Sequence, residues 1–421
     1  ELDEKLAKLP DTRAAHYGAF TTRVDASQPP AEIVWQIQRQ LGRHHLTAMP
    51  PAYNVIAQEG ALDQLGEHLK ALELNDPLIV VSDSNVAPLY MQRALAALQK
   101  AGYDAKQVVI PAGEEYKTLA TVSTLWDAFL AAGLDRKSTV IALGGGVVSD
   151  LAGFAAATFM RGCNWVAVPT TLLSMVDASM GGKTGFDLPT GKNLIGAFHP
   201  PRLVLADANV LATLPERELR SGMAEVVKHG IIHDTELFEL CKGLTTEHTE
   251  NTEKKPKKEK SHLSTSQKNS VNSVLSVVNL SQIVRLGMAV KIQIIEEDPF
   301  EQGIRAALNL GHTIGHAVEL VSGFSILHGE AVGIGIVAEA KLAEGLGIAP
   351  SGIADEISET LVTLGLPTEI PEHLPRPDLL AAIQHDKKKA KGVVKFALPV
   401  KLGEVKVGVV IENLESLLLE L

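Results

Sequence analysis

Residues 139–157, TVIALGGGVVSDLAGFAAA, decide the fold. Thr139 to Leu143 read as a strand buried on both faces, three glycines turn the chain, and an apolar helical stretch follows. Backbone N–H groups at such a turn, with the positive end of a helix behind them, can receive a phosphate. Gly144, Gly145 and Gly146 are therefore candidate pyrophosphate binders, although a strand-to-helix turn that holds no ligand uses the same residues.

Outward from this stretch the chain alternates in the same way. NVIAQ (54–58) and PLIVVSD (77–83) read as strands, MQRALAALQKAG (91–102) as a helix, KQVVIPAG (106–113) as a strand and LATVSTLWDAFLAAG (119–133) as a helix. Such alternation predicts an α/β domain with a parallel sheet flanked by helices, over 53–215. Beyond Leu214-Pro215 the β-branched runs give way to longer helical patterns, RELRSGMAEVVKHGII (217–232) and AVGIGIVAEAKLAEGLG (331–347), so 216–421 reads as a mainly α-helical second domain. Residues 1–52 hold one amphipathic stretch, PPAEIVWQIQRQLG (29–42), end at Met49-Pro50-Pro51, and read as an appendage. Residues 245–270 are Thr, Ser, Asn, Glu and Lys with Leu263 almost the only apolar side chain, and read as a solvated insert.

The 421 residues exceed what one core usually serves. A net charge of −11 and a sequence pI near 5.7 disfavour a nucleic-acid or anionic-membrane binder, so an anionic substrate needs a local basic cluster. Two cysteines, Cys163 and Cys241, cannot build a disulfide framework, and no apolar stretch is long enough to span a bilayer. A cytoplasmic location is expected. The charged opening ELDEKLAKLP is not a secretory leader, and the missing initiator Met suggests a piece of a longer chain.

Polar chemistry gathers in few places. Asp83, with Asn85 just beyond, ends a strand where an acid can accept ribose hydroxyls, or simply close a turn. PTTLLSMVDASMGGKTGFDLPTGKN (169–193) is dense in Gly, Thr, Lys and Asp within an apolar domain and reads as a loop, either solvated or built to hold a polar ligand; Lys183 and Lys192 could meet a phosphate or carboxylate, and Asp177 hydroxyls. NLGHTIGHAVE (309–319) sets His312 and His316 four residues apart, FSILHGEAVGIG (324–335) adds His328 beside Glu330, and SGMAEVVKHG (221–230) offers Glu225 and Lys228. Two histidines and a carboxylate would leave an open position on zinc; spacing alone leaves open which histidines ligate.

Taken together, GGGVVSDLAGFAAATFMRG, PTTLLSMVDASMGGKTG, GKNLIGAFHPP, LPERELRSGMAEVVKHG, IRAALNLGHTIGHAVE and LHGEAVGIG resemble the successive signature blocks of the 3-dehydroquinate synthase family. The resemblance runs from about Tyr53 to the C-terminus. It implies a Rossmann-like domain followed by a metal-binding helical one, with NAD and Zn2+ or Co2+ as cofactors and a homodimer as the assembly. Glu225, His312 and His328 would hold the metal. Arg161, Asp177, Lys183, Asn193, Lys228, Lys291, Arg305, Asn309, His316 and either Lys387 or Lys388 would surround the substrate. Asp83, Asn85, Glu114, Lys117, Gly145, Gly146, Asp150, Thr170, Thr171, Lys192 and Thr213 would line the NAD site. The reaction implied converts 3-deoxy-arabino-heptulosonate 7-phosphate to 3-dehydroquinate and phosphate, in a cycle that regenerates NAD. Arg305, Asn309 and His316 are expected along one helix, facing the same cleft as His312.

RAAHYGAF (13–20) followed by VDASQPPAEIVWQI (24–37) resembles the last part of a shikimate kinase, which suits a fusion of two enzymes of one pathway; no GxxxxGKS/T segment accompanies it, so no kinase activity is read from the chain. Three rival readings compete. A related seven-carbon sugar-phosphate cyclase would carry Ser-Pro-like residues where Gly315-His316 stand. A metal-dependent polyol dehydrogenase would not need the Lys183, Lys192, Asn193 and Arg305 set. A non-catalytic pathway scaffold would need neither the metal residues nor the substrate residues.

Overall fold

A computed structural model describes residues 24–189, 191–253, 277–389 and 393–420. Seven strands form the central sheet: β1 (Arg43–Leu46), β2 (Tyr53–Ala57), β3 (Leu78–Asp83), β4 (Lys106–Ile110), β5 (Thr139–Gly144), β6 (Asn164–Pro169) and β9 (Leu203–Ala206), in the order β1-β2-β9-β6-β5-β3-β4. All neighbours run parallel except β1, which pairs antiparallel with β2. Every residue of β5 and of β9 is buried, as helices on both faces of a parallel sheet require. The order reverses between β3 and β5, because β4 lies on one side of β3 while β5 and β6 follow on the other. A crevice at the carboxyl ends of β3 and β5 follows from that reversal. Asp83 and the Gly144–Gly146 turn stand there.

Helices α1 (Pro30–Leu41), α2 (Leu65–Ala71), α3 (Ala87–Lys100), α4 (Leu119–Ala131) and α5 (Gly146–Thr158) belong to this half. Where a loop was expected, the antiparallel hairpin β7 (Lys183–Leu188) and β8 (Gly191–Phe198) stands apart from the sheet and carries Lys183, Lys192 and Asn193, because its strands satisfy each other's backbone groups. The reading of 1–52 as an appendage changes here. Arg43–Leu46, read as part of an appendage, is the sheet's edge strand. Trp35 of α1 packs against His44 with the rings tilted and 5.1 Å between centroids, and Arg39 pairs with Asp234 at 2.6 Å, so this stretch is tied into the fold.

The second half contains α6 (Glu216–Ile232), α7 (Thr235–Glu253), α8 (Val277–Glu297), α9 (His312–Val321), α10 (His328–Gly345), α11 (Ile353–Thr363), α12 (Arg376–Lys389), the hairpin β10 (Phe396–Lys401) with β11 (Glu404–Val409), and α13 (Leu414–Glu420). Helix α7 continues to Glu253, into the stretch read as unstructured; residues 254–270 of that stretch lie outside the described residues. One cluster of buried apolar side chains runs from Leu46 to Leu418, so both halves share a core. Among the described residues no helix is long and apolar enough to cross a membrane.

Candidate active site

Helix α6 is buried almost throughout from Leu219 to Ile232, yet it carries Glu225 (0 % exposed) and Lys228 (1 %). A buried charge is costly unless it is paired, and these two meet one helical turn apart through Glu225 Oε2. A Cβ on Gly329, the second residue of α10, would lie 1.9 Å from the Ser221 carbonyl oxygen, so α6 and α10 touch backbone to backbone. That contact sets His328, the first residue of α10, across from Glu225, one turn beyond Ser221 on α6.

Glu225 Oε1 has no hydrogen-bond partner among the described residues, and lies 3.5 Å from His312 Nε2 and 3.6 Å from His328 Nε2. Those separations are long for hydrogen bonds. Tetrahedral zinc with donors about 2.0–2.1 Å away sets neighbouring donors about 3.3–3.4 Å apart, so the trio fits a divalent ion. The outer nitrogens are spoken for: His312 Nδ1 lies 3.1 Å from the Leu310 carbonyl and His328 Nδ1 3.2 Å from Glu319 Oε2. Those acceptors favour protonated Nδ1 and leave each Nε2 facing Glu225. Burial and Lys228 hold His312 well below the ordinary imidazole range, hence neutral. Burial also opposes charge on His328, but Glu225 and Glu319 override it and raise that residue to about 9. Burial raises Glu225, whereas Lys228, His312 and His328 outweigh it and keep the carboxylate ionised.

His316 lies beside this group, with its ring centroid 5.2 Å from His312 and 5.9 Å from His328. His316, Glu319 and His328 also converge closely enough to hold an ion, so spacing alone had left two real groupings. Glu330, adjacent to His328 in sequence, instead pairs with Arg217 at 2.7 Å and accepts the Leu327 N–H.

A second cluster of cationic side chains, Lys291, Arg305 and Lys183, gathers around Asp177 and Glu301. Lys291 of α8 meets Asp177, which stands in a π-helical turn (Ser174–Ala178) packed against α8. Burial, then Arg305, pushes the Lys291 amine down to about 7. Arg305 is 2 % exposed and donates to the Pro299 carbonyl. Lys183 Nζ sits 2.5 Å from Glu301 Oε2, and Asn309 Nδ2 3.4 Å from Glu301 Oε1. Glu301 was not among the residues singled out from sequence; only its place four residues before Arg305 hinted at it. The expected single helix from Arg305 to His316 is not found. Ile304–Asn309 is a 3-10 turn, Gly311 takes φ +80°, and α9 begins at His312.

On the crevice side, Lys117 is buried and meets Asp150 at 2.7 Å and Asn193 Oδ1 at 2.6 Å, with Glu114 at 4.0 Å. Asn193, expected with the substrate residues, is thus held with the crevice group. Gly145 caps α5 without a side-chain bond, and a Cβ there would lie 3.2 Å from Thr171 Cγ2; Gly146 faces Ala178. The Thr170 hydroxyl is buried without a partner among the described residues, and Thr171 Oγ1 accepts the Ser174 N–H at 3.1 Å. An unpaired buried hydroxyl beside an uncapped helix N-terminus suits a phosphate-bearing cofactor such as NAD. Asp83 Oδ1 accepts the Asn85 and Val86 N–H groups at 2.8 and 2.9 Å, so it does close a turn, and Thr213 bonds the Tyr90 hydroxyl at 2.6 Å. Lys192 joins the two sides: its Nζ is 3.8 Å from Glu114, 3.9 Å from Glu319 and 4.4 Å from the Phe324 ring centroid.

One expectation, Arg161, is not brought to this cleft. Arg161 is exposed after the C-terminal end of α5, roughly 20 Å along that helix from Gly146. Lys387 and Lys388 stand in the last turn of α12, and their side chains lie outside the described residues.

Residues 107–221 match the model of the 3-dehydroquinate synthase N-terminal domain and residues 222–389 that of its C-terminal domain. The 3-dehydroquinate synthase of Synechocystis sp. is 44% identical over 354 residues, covering 84% of this chain and 92% of the relative. That of Symbiobacterium thermophilum is 44% identical over 355 residues, with the same coverage. Among solved structures, 2-deoxy-scyllo-inosose synthase complexed with carbaglucose-6-phosphate, NAD+ and Co2+ superposes with a TM-score of 0.75 at 26% identity, over 90% of this chain and 99% of that one. 2-epi-5-epi-valiolone synthase from Streptomyces hygroscopicus, with NAD+ and Zn2+, gives 0.74 at 28% identity, over 87% and 96%. A probable glycerol dehydrogenase from Sinorhizobium meliloti, at 15% identity and 0.57, shares the fold.

Proposed function

The chain belongs to the 3-dehydroquinate synthase family, and we propose on that premise how its cleft converts 3-deoxy-arabino-heptulosonate 7-phosphate to 3-dehydroquinate and phosphate. The observation that carries the reading is a buried Glu225 that faces two imidazoles and is paired with the buried Lys228. When bound, NAD supplies a reversible hydride acceptor and the divalent metal a Lewis acid.

Glu225, His312 and His328 would hold the metal, and Lys228 keeps Glu225 ionised. The crevice residues Asp83, Gly145, Gly146, Lys117, Asp150 and Thr170 would hold NAD. Lys291 and Arg305 bring positive charge where a carboxylate must be gripped, and Lys183 with Asn309 does so where phosphate leaves. Glu301 holds Lys183 and Asn309 until an arriving phosphate competes for them. His316 stands exposed beside the metal trio, where an imidazole can pass a proton to or from the substrate. The closing aldol step depends mainly on holding the chain of the substrate folded, a task for the same cations.

The homodimer is the assembly we favour: Arg161 cannot reach the cleft of its own chain, so if it meets substrate it does so from a second copy. A cytoplasmic location is supported by two free, buried cysteines. A shikimate kinase partner in one polypeptide rests on the short resemblance at 13–37, of which 13–23 lie outside the described residues.

Incubating the protein with NAD, zinc and the heptulosonate phosphate should release phosphate and 3-dehydroquinate in equal amounts. Formation of NADH in step with product, without phosphate release, would overturn the reading in favour of a dehydrogenase.

A further inference from the structure

Glu339, on α10, has no exposed surface and no task in the chemistry above. Its Oε2 accepts the Gly311 N–H at 2.6 Å and its Oε1 the Ile314 N–H at 3.3 Å, and the Thr313 amide also bonds it. These belong to the opening turn of α9, where amides have no intrahelical acceptor. A side chain at the N-cap normally accepts them. Here the N-cap is Gly311, which has none, so the acceptor comes from a different helix.

Gly311 cannot be exchanged for a capping residue without a clash. Its φ is +80°, and a Cβ there would lie 2.5 Å from Ile336 Cγ1 and 2.8 Å from the Val332 carbonyl oxygen. A Cβ on Gly335 would in turn lie 1.9 Å from the Gly311 oxygen. Helix α10 therefore passes directly beneath the entry to α9, and Glu339, one turn beyond Gly335, reaches up into it. Burial drives the Glu339 carboxyl up to about 8, while the three amides favour its ionised form.

The two helices so joined are those that carry His312 and His328, each as its first residue, with ring centroids 5.2 Å apart. We propose that Glu339 is a positioning residue, a staple from α10 that caps α9 and fixes the direction of the His312 imidazole towards Glu225 and His328. The inference rests on reading those three residues as the metal site.

The test uses the full chain with zinc or cobalt(II) as the probe, in the parent protein and in Glu339→Gln, Glu339→Ala and His312→Ala. Gln keeps the shape and one acceptor but turns an NH2 group towards an amide donor, so it serves if the Ala variant fails to fold. Zinc affinity by chelator competition should fall by about 10- to 100-fold in Glu339→Ala and less in Glu339→Gln, as for other groups that orient a ligand. The visible spectrum of bound cobalt should shift, and hydrogen exchange should rise at residues 311–314 but not in α11. Lower thermal stability with zinc affinity and cobalt spectrum unchanged would overturn the proposal, leaving Glu339 a core residue only. If His312→Ala also binds zinc as the parent does, the metal reading itself falls and takes the proposal with it.

Discussion

Glu319 gives the most direct check on how the metal trio is held. Its Oε2 lies 3.2 Å from His328 Nδ1, on the far side of the imidazole from Glu225. A carboxylate there fixes the tautomer and orientation that leave Nε2 free for an ion. Truncation in Glu319→Ala should lower zinc affinity by about 10- to 100-fold, or about 1.4–2.7 kcal/mol. Glu319→Gln retains an oxygen for the Nδ1–H and should recover most of that loss. Lys192 also approaches Glu319, at 3.9 Å, so a lost tether could mimic a lost ligand contact. Lys192→Met separates them, because it spares the Glu319–His328 bond and should leave zinc affinity within about threefold, under 1 kcal/mol by the same conversion. Chelator competition at fixed pH and ionic strength measures all four proteins. Equal affinity in parent and Glu319→Ala would refute the tautomer argument, and loss only in Lys192→Met would move the effect to the tether.

Substoichiometric NAD should support many turnovers, since the hydride returns within the cycle; stoichiometric NADH would contradict this. Lys291, held near 7 by burial and by Arg305 against the pull of Glu301 and Asp150, should lose its charge as pH rises through 7. KM for the anionic substrate should then climb above that pH, and Lys291→Arg should flatten the rise; an unchanged profile would free Lys291 of that role. Its folded pKa is depressed below the unfolded 10.5, so the destabilisation it causes is full below about 7 and relieved towards 10.5, a trend that Lys291→Met should remove from the pH dependence of unfolding. Arg305→Ala should cost about 1.5–3 kcal/mol in kcat/KM for the carboxylate-bearing substrate, roughly ten- to a hundredfold, and less for a seven-carbon sugar phosphate without that group. Because Arg305 is buried on Pro299, thermal unfolding must be measured alongside; equal losses on both substrates would assign it to the fold.

Strands β3 and β5 were legible because each is a continuous apolar run that two-sided burial explains, whereas the central β6 and β9 were not singled out. Strand β1 was not, because RHHL alternates exposed and buried residues and its buried face includes His44, whose neutral ring packs on Trp35. Burial pushes that imidazole down to about 4, so a residue that sequence counts as polar behaves here as an aromatic filler. Carboxylates were the harder class. Glu225 was singled out for the metal through the family resemblance, whereas Glu301, Glu319 and Glu339 owe their roles to partners that approach only in the folded chain.

The run from Arg305 to His316 shows where periodicity misleads. Positions 305, 309, 312 and 316 follow the spacing of one helical face, and nothing in that pattern announces a break. A continuous helix would separate Arg305 from His316 by about 16 Å along its axis. It would also satisfy the amides of residues 311–314 internally, leaving Glu339 buried with no donors. The turn at Gly311 changes both conditions, since it starts a new helix at His312 and exposes a fresh set of orphan amides to Glu339. Replacing Gly311 by Ala should therefore be costly for two reasons, a left-handed φ and a Cβ 2.5 Å from Ile336. The strain and the displaced first turn act on the residue that is also meant to bind the metal, so stability and zinc affinity should fall together, whereas at Gly347, also at positive φ but with no atom within 4 Å of a Cβ, only stability should respond.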